Sequence, residues 1–316
     1  MALTITETNA VSNKVFDKTL TQTAYDKSPF WVKMKQDGKV RGQFGTSIQW
    51  PIRYKQAGGN TAGAVNPDDQ VVFRSVDTRT AATLEMAFYR GQAMITWKER
   101  AQNMGVAQIV DLLKDKYKEM QQQIYHEFAT DLYTYNTSAL AIQPLSYVVD
   151  STQTYGGIAA ADASTWVSWR DASTTGLNLY GAGSLSYYVN LASFGDEAPS
   201  MHLTTKNLYS KFMSLFEGQK IYSDNKLADA GFDNIKFMNA PITADAYCPA
   251  SYWYGIDFNQ LEFRVHSDYD FKTTEWFDLP QAGHPDSMAK VMSWAGNLKV
   301  YSRRSSFKYT TLNYTL

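Results

Sequence analysis

The chain has 316 residues, with 30 Lys+Arg against 31 Asp+Glu and a net charge of −1. A hydrophobic share of 44% with 19% charged residues excludes a disordered chain, and the balanced charge excludes a global field for nucleic acid. The single cysteine, Cys248, excludes an internal disulfide framework and a cysteine-based zinc cluster.

At roughly 150 residues per domain the length predicts about two units. The start, MALTITETNAVSNK, lacks a basic segment followed by an apolar run, so it does not read as a secretory signal. No apolar run reaches the roughly 18 residues a spanning helix needs, so the expectation is a soluble protein made in a cytoplasm, with no membrane partner. Cys248 reads as a reduced small side chain in a core strand.

Residues 1 to 45 read as an arm, with seven Lys/Arg against four Asp/Glu. Val11, Phe16, Leu20 and Tyr25 fall at loose helical spacing, and Ser28-Pro29 reads as the stop, because the residue before proline is pushed out of the α region. Ile48, Trp50, Ile52 and Tyr54 alternate with Gln49, Arg53 and Lys55, and Pro51 argues for an edge or an isolated ribbon. Gly58-Gly59-Asn60 is a turn signal. Ala82, Leu84, Met86 and Phe88 read as one face of a returning strand over 82 to 90. Residues 46 to 92 are therefore predicted as a long hairpin. About ten extended residues span roughly 33 Å, and a two-stranded hairpin is marginal in water by itself. It should rest on a neighbour, such as another subunit.

Residues 106 to 135 carry the strongest helix signal. Val106, Ile109, Leu113, Tyr117, Met120, Ile124 and Phe128 step by three or four, with Lys114, Asp115, Lys118 and Glu119 off the stripe. Loops and short strands are expected over 136 to 185, with Gly156-Gly157 and Trp166, and a short helix over 184 to 194. Ser200 to Thr204 reads as a buried strand. Lys206 to Phe216 reads as a helix capped by Thr204 or Thr205, with Leu208, Phe212 and Leu215 inward. Strand-like runs follow at Ile235 to Met238, Ser251 to Phe258, Leu261 to His266, Met288 to Leu298 and Lys299 to Leu312. Without regular alternation or an internal repeat, the pattern is α+β with two subdomains.

Sequence chemistry points away from an enzyme. His126-Glu127 lacks the second histidine of a zinc helix, because position 130 is Thr. Phosphate-loop, dinucleotide and nucleophile-elbow patterns are absent, and Gly218-Gln-Lys220 and Gly181-Ala-Gly183 are fragments only. Asp68-Asp69 and Asp268-Tyr-Asp270 read as solvated turns, lacking the glycine and terminal glutamate of a calcium loop. Arg303-Arg304 could face a polyanion or answer acidic residues of a neighbour. No catalytic, cofactor or metal residue is assigned, and no cofactor is expected.

Several segments carry a resemblance. They are Ile95-Thr-Trp97-Lys98-Glu99, Asn103-Met-Gly105 and Ile109 to Leu113, then Tyr155-Gly156-Gly157-Ile158 with Trp166 and Trp169-Arg170. Pro199 to Tyr209, Gly231 to Ile242 and Gly296 to Tyr301 follow. In this order, over nearly the whole chain, they resemble the major capsid proteins of tailed double-stranded DNA bacteriophages, which share the Hong Kong 97-type fold. The resemblance implies a structural protein, self-assembling as hexamers and pentamers into an icosahedral head around DNA that it contacts non-specifically. It implies an N-terminal arm over 1–45 and an extended hairpin loop over 46–92. A peripheral domain would cover 93–189 and 286–316, with the spine helix at 106–135, and an axial domain would cover 190–285. Hairpin and arm would touch neighbours through Phe16, Leu20, Trp50, Ile52, Tyr54, Leu84, Met86 and Phe88. Portal, decoration and separate scaffolding proteins are the implied partners, and the virion, assembled in the host bacterial cytoplasm, is the implied location. Lys55 lies in the hairpin, but no asparagine pairs with it by motif, so an isopeptide crosslink is not expected. Two alternatives are an encapsulin-like compartment of the same fold and a carbohydrate-binding module suggested by the many Tyr and Trp.

Overall fold

The computed structural model describes residues 28–53, 64, 66–68, 70, 73, 77–102, 106–134, 140–173, 176–215, 235–279 and 287–313. Helices are α1 (Pro29–Gln36), α2 (Trp97–Gln102), α3 (Val106–Tyr133), α4 (Leu145–Val148), α5 (Leu185–Ala192) and α6 (Lys206–Leu215). In the first half, strands are β1 (Val40–Gln43), β2 (Ser47–Arg53), β3 (Arg79–Glu85), β4 (Ala87–Ile95) and β5 (Trp169–Asp171). The second half adds β6 (Met201–Thr204), β7 (Ile235–Phe237), β8 (Ala240–Ala244), β9 (Trp253–Ile256) and β10 (Leu261–His266). The last strands are β11 (Lys272–Thr273), β12 (Phe277–Asp278), β13 (Met288–Val300) and β14 (Phe307–Tyr309). The fold is α+β, and it divides into two compact units.

The first unit holds Met1–Thr46, Met86–Ile142 and Phe263–Leu298. Its sheet runs β1-β10-β13-β11, with β4 and β12 also pairing β13. The α3 helix has 28 residues, about 42 Å at 1.5 Å per residue. Leu113, Tyr117, Met120, Ile124 and Phe128 are buried, while Lys114, Asp115, Lys118 and Glu119 are exposed, as the spacing requires. Helix and strand approach closely where β4 has Gly91, since a Cβ there would lie 2.4 Å from Cδ1 of Ile124. Phe128 anchors an aromatic core, with ring centroids 4.4 Å from Trp294, 4.7 Å from Tyr89 and 6.2 Å from Trp31.

The second unit holds Ser47–Glu85, Gln143–Glu262 and Lys299–Leu316. Its main sheet runs β5-β14-β9-β6-β8-β7, and β2-β3 form a separate ribbon. Leu208, Phe212, Ile235, Ile242, Trp253 and Phe307 make its core. Phe307 packs over Gly255 so closely that a Cβ would sit 2.2 Å from the ring. The α6 start is capped by Thr205, whose Oγ1 accepts from the Leu208 amide at 3.3 Å.

Several expectations are corrected. Ser28-Pro29 starts a helix instead of ending one, because proline at N1 has no amide to lose and a helical φ already set. The part of the arm from Pro29 onward finds its surface within its own unit, with Trp31 edge-on to Phe263 at 4.5 Å. The helix expected around Val11 to Tyr25, and the turn at Gly58 to Asn60, lie outside the described residues. The strand expected over 82 to 90 breaks at Met86. Met86 and Ala87 are both buried, so the alternation slips by one residue and Phe88 turns outward at 56% exposure. Leu215, expected inward, is exposed at the last residue of its helix. Cys248 is buried, but in a turn, because the Asp245 carboxylate accepts from the Tyr247 amide and Pro249 follows. The two closing runs are one long strand, β13, and the short β14. Strands β1 and β5, both short and at sheet edges, carry too little alternation to read.

Candidate functional site

The site is the root of the ribbon, built entirely within the second unit. Strand β2 alternates without fault: Ile48, Trp50 and Ile52 are buried, and Ser47, Gln49, Pro51 and Arg53 are exposed. Trp50 lies opposite Ala82 and Ile48 opposite Leu84. The buried face docks on its own chain. The Trp50 indole donates to the Val300 carbonyl at 3.0 Å. The Thr83 amide donates to the Gly156 carbonyl at 3.0 Å. Gly156 has φ +60, and a Cβ on it would sit 2.9 Å from the Cβ of Ala82. Gly156→Ala is therefore expected to lower unfolding stability by about 2 kcal/mol, from left-handed strain plus the clash. Chemical denaturation checks this, and Gly157→Ala, with open space around its Cβ, is the control for strain alone.

Beside Trp50 lies a buried polar group. Lys299 Nζ donates to the Tyr301 hydroxyl at 2.9 Å, and that hydroxyl donates to Glu262 at 2.7 Å. Lys299 Nζ is also 3.6 Å from Glu262 and 5.6 Å from the Trp50 ring centre. Such a group fixes one arrangement more than it adds net stability.

Below the ribbon, Arg303 ties the segment from 147 to 153. It is 1% exposed. Its Nε donates to the Val148 carbonyl at 2.7 Å, and Nη2 donates to the carbonyls of Asp150 at 2.7 Å and Tyr147 at 3.0 Å. The guanidinium lies 5.4 Å from the ring centre of Tyr155 and 5.3 Å from that of Trp166. Burial draws its pKa down to about 10, which leaves it charged at neutral pH. Trp166 in turn donates to the Tyr301 carbonyl at 2.9 Å. Next to this, Lys308 Nζ meets the Asp150 carboxylate at 2.6 Å. Burial alone would raise the Asp150 carboxyl, but hydrogen bonds from Lys308 and Thr152 outweigh it and hold the group below the usual range.

The root answers several sequence expectations. Arg303 does not face a polyanion: it is spent on its own backbone, because the carbonyls of Tyr147, Val148, Asp150 and Gln153 need a planar donor fork. Arg304 instead lies 4.5 Å from the ring centre of Phe194. Of the contact candidates, Trp50, Ile52, Leu84 and Met86 are buried within the single chain, and Phe88 is exposed. Phe16, Leu20 and Tyr54 lie outside the described residues. No signal in the sequence separates Arg303 from Arg304, and only the fold assigns them different tasks.

Among the described residues no group of three His, Cys, Asp or Glu side chains is placed to hold a metal ion, and no helix is long and apolar enough to cross a membrane. Burial pushes the Cys248 thiol well up. His202 is fully buried and accepts at Nδ1 from the Trp253 indole at 3.2 Å; burial pulls its pKa down to about 3. Its unfolded value is about 6.5, so the unfolded chain binds the extra proton between those limits. The stability it secures is complete above about pH 6.5 and is lost as pH falls toward the folded value. At pH 5 the loss is about 2 kcal/mol. Unfolding midpoints at pH 7 and pH 5 check it: His202→Gln keeps an acceptor for Trp253 and should flatten the difference.

No protein-family model matches the sequence, and no curated protein matches it. Solved structures do. The capsid asymmetric unit of cyanophage A-1(L) is similar with a TM-score of 0.63 at 15% identity, over 87% of this chain and 90% of that one. The capsid of a native GTA particle gives 0.58 at 11% identity, over 89% and 90%. A virus-like particle from Pyrococcus furiosus gives 0.53 at 11% identity, over 94% and 99%. With the ribbon, the long α3 helix and the two sheets in place, this chain has the Hong Kong 97-type capsid fold.

Proposed function

We propose that the chain is the repeating wall subunit of an icosahedral shell, the major capsid protein of a tailed double-stranded DNA bacteriophage. The observation that carries the reading is the extent of the fold likeness: it takes in most of this chain and nearly all of a cyanophage capsid chain. Subunits would form hexamers and pentamers and enclose DNA held without sequence-specific contacts, consistent with a net charge of −1. The arm, with Phe16 and Leu20, and the ribbon beyond its root, with Tyr54, would lie on neighbouring copies. Trp50, Ile52 and Leu84 would instead hold the ribbon's base, and exposed Phe88 would add contact area. Each contact is modest, at roughly 25 cal/mol per Å² of apolar area, and repetition around a closed shell multiplies it.

Arm, ribbon, spine helix and the domains proposed over 93–189 with 286–316 and over 190–285 would serve this one task, in a virion assembled in the host cytoplasm with scaffolding, portal and decoration partners. Electron microscopy of the purified protein tests it. Uniform closed particles are expected; a monomer at high concentration, with scaffolding protein supplied, would overturn it. A second reading, an encapsulin-like compartment, is favoured by the likeness to the Pyrococcus furiosus particle. Particle contents decide between them: nucleic acid supports the head, and a packaged enzyme supports the compartment.

A further inference from the structure

Among the described residues, the ribbon's exposed face carries an unanswered charge. In the antiparallel register Arg53 stands directly opposite Arg79. Both are exposed, on the side away from Trp50 and Ile52. Directly opposed side chains have Cβ atoms about 5 Å apart, where like charges destabilise a strand pair. Among the described residues neither guanidinium has an ion-pair or hydrogen-bond partner. On the same face Pro51 and Ala81, also paired, offer a small exposed apolar patch beside the two arginines.

A complementary surface exists elsewhere on the same chain. Residues 268–278 hold Asp268, Asp270, Glu275 and Asp278 against one cation, Lys272. Asp268, Glu275 and Asp278 are exposed. Phe277, beside Asp278 on β12, is 41% exposed and supplies an apolar ring of the size to cover Pro51 and Ala81. Charge complementarity makes a second copy of this chain the source of the carboxylates.

We infer that Arg53 and Arg79 form a carboxylate-binding rung that takes the acidic 268–278 segment of a second copy of this chain. Two adjacent planar guanidinium forks match carboxylates in bidentate geometry and stack on aromatic faces. Two arginines neutralise too few phosphates for a nucleic-acid footprint. The inference rests on the shell reading for the supply of neighbouring copies, and it deepens that reading by naming the contact and its register.

The test is a charge exchange in the full chain. Arg53→Glu with Arg79→Glu should cut the assembled fraction at least about tenfold, as like charges placed across an interface do. Asp268→Lys with Glu275→Lys and Asp278→Lys should do the same. Joining all five substitutions in one chain should restore assembly to near the original level. All these side chains are exposed, so thermal unfolding of the unassembled chains should not change. Unchanged assembly in either reversal, failure of the combined chain to recover, or loss of retained DNA with intact shells would overturn the inference; the last would assign the rung to a polyanion. A mixing arm separates this from the shell reading. Chains with Arg79→Cys are mixed with chains carrying Asp278→Cys and treated with a short bis-maleimide, buried Cys248 serving as the inert background. Cross-linked pairs without closed shells would sink the shell reading and keep the contact. Shells without cross-linked pairs would do the reverse, and neither product would remove both.

Discussion

Replacing Arg303 by methionine should destabilise the second unit by about 4 kcal/mol and release the segment around residues 147 to 153. Methionine fills most of the volume but donates nothing. The carbonyls of Val148, Asp150 and Tyr147, now met at 2.7, 2.7 and 3.0 Å, would lose the guanidinium, and that of Val148 would keep another donor, the Ser168 hydroxyl at 3.3 Å. Each orphaned group costs about 1 to 3 kcal/mol. Lysine in the same place keeps the charge but cannot fork to three acceptors, so Arg303→Lys should recover only part of the loss. The neighbouring Arg304→Met removes a cation–π contact with the exposed Phe194 ring and should cost under about 1 kcal/mol. Denaturant unfolding of the three variants checks the order. Equal effects at 303 and 304 would show that the guanidinium fork at 303 does not hold the turn. Shell formation should fail at 303 as well, because this turn and Trp166 underlie the strand end on which Trp50 docks.

Leu113→Asp should abolish cooperative folding of the first unit. Leu113 is 3% exposed on the buried stripe of α3, one turn before Tyr117. A carboxylate there must either stay charged in an apolar setting or take up a proton, and both outcomes cost several kcal/mol. Neighbouring Lys114→Asp, on the exposed side, should change stability by no more than about 0.5 kcal/mol. Soluble protein with a sharp unfolding transition from Leu113→Asp would mean that the stripe faces water. The same logic changes the expectation for Trp50. At 3% exposure, with its indole bonded to Val300, Trp50→Asp should loosen the ribbon's root in the isolated chain before any assembly step is tested.

Periodic elements were legible because one repeating pattern carries each of them. The α3 helix shows its face over many turns, so its stripe and its charged side are both written in the spacing. In β2 the period of two assigns Ile48, Trp50 and Ile52 to one side and Arg53 to the other. Short edge strands such as β1 lack enough residues for a pattern. The break at Met86 was hidden because a single-residue slip looks like continued strand until the partner strands are known: β3 pairs β2, whereas β4 pairs β13.

By itself the sequence determined the class of the chain, its long helix, its ribbon and the polarity of each face, since local periodicity and charge balance are properties of neighbours along the chain. Tertiary structure alone decided what covers each face. It buried Trp50 against Val300, turned Arg303 into a donor for four backbone carbonyls and left Arg53 beside Arg79. Those partners lie up to 250 residues apart in the chain, as for Trp50 and Val300. Desolvation and hydrogen-bond satisfaction, which set the role of a buried charge, depend on such distant partners and on no local pattern.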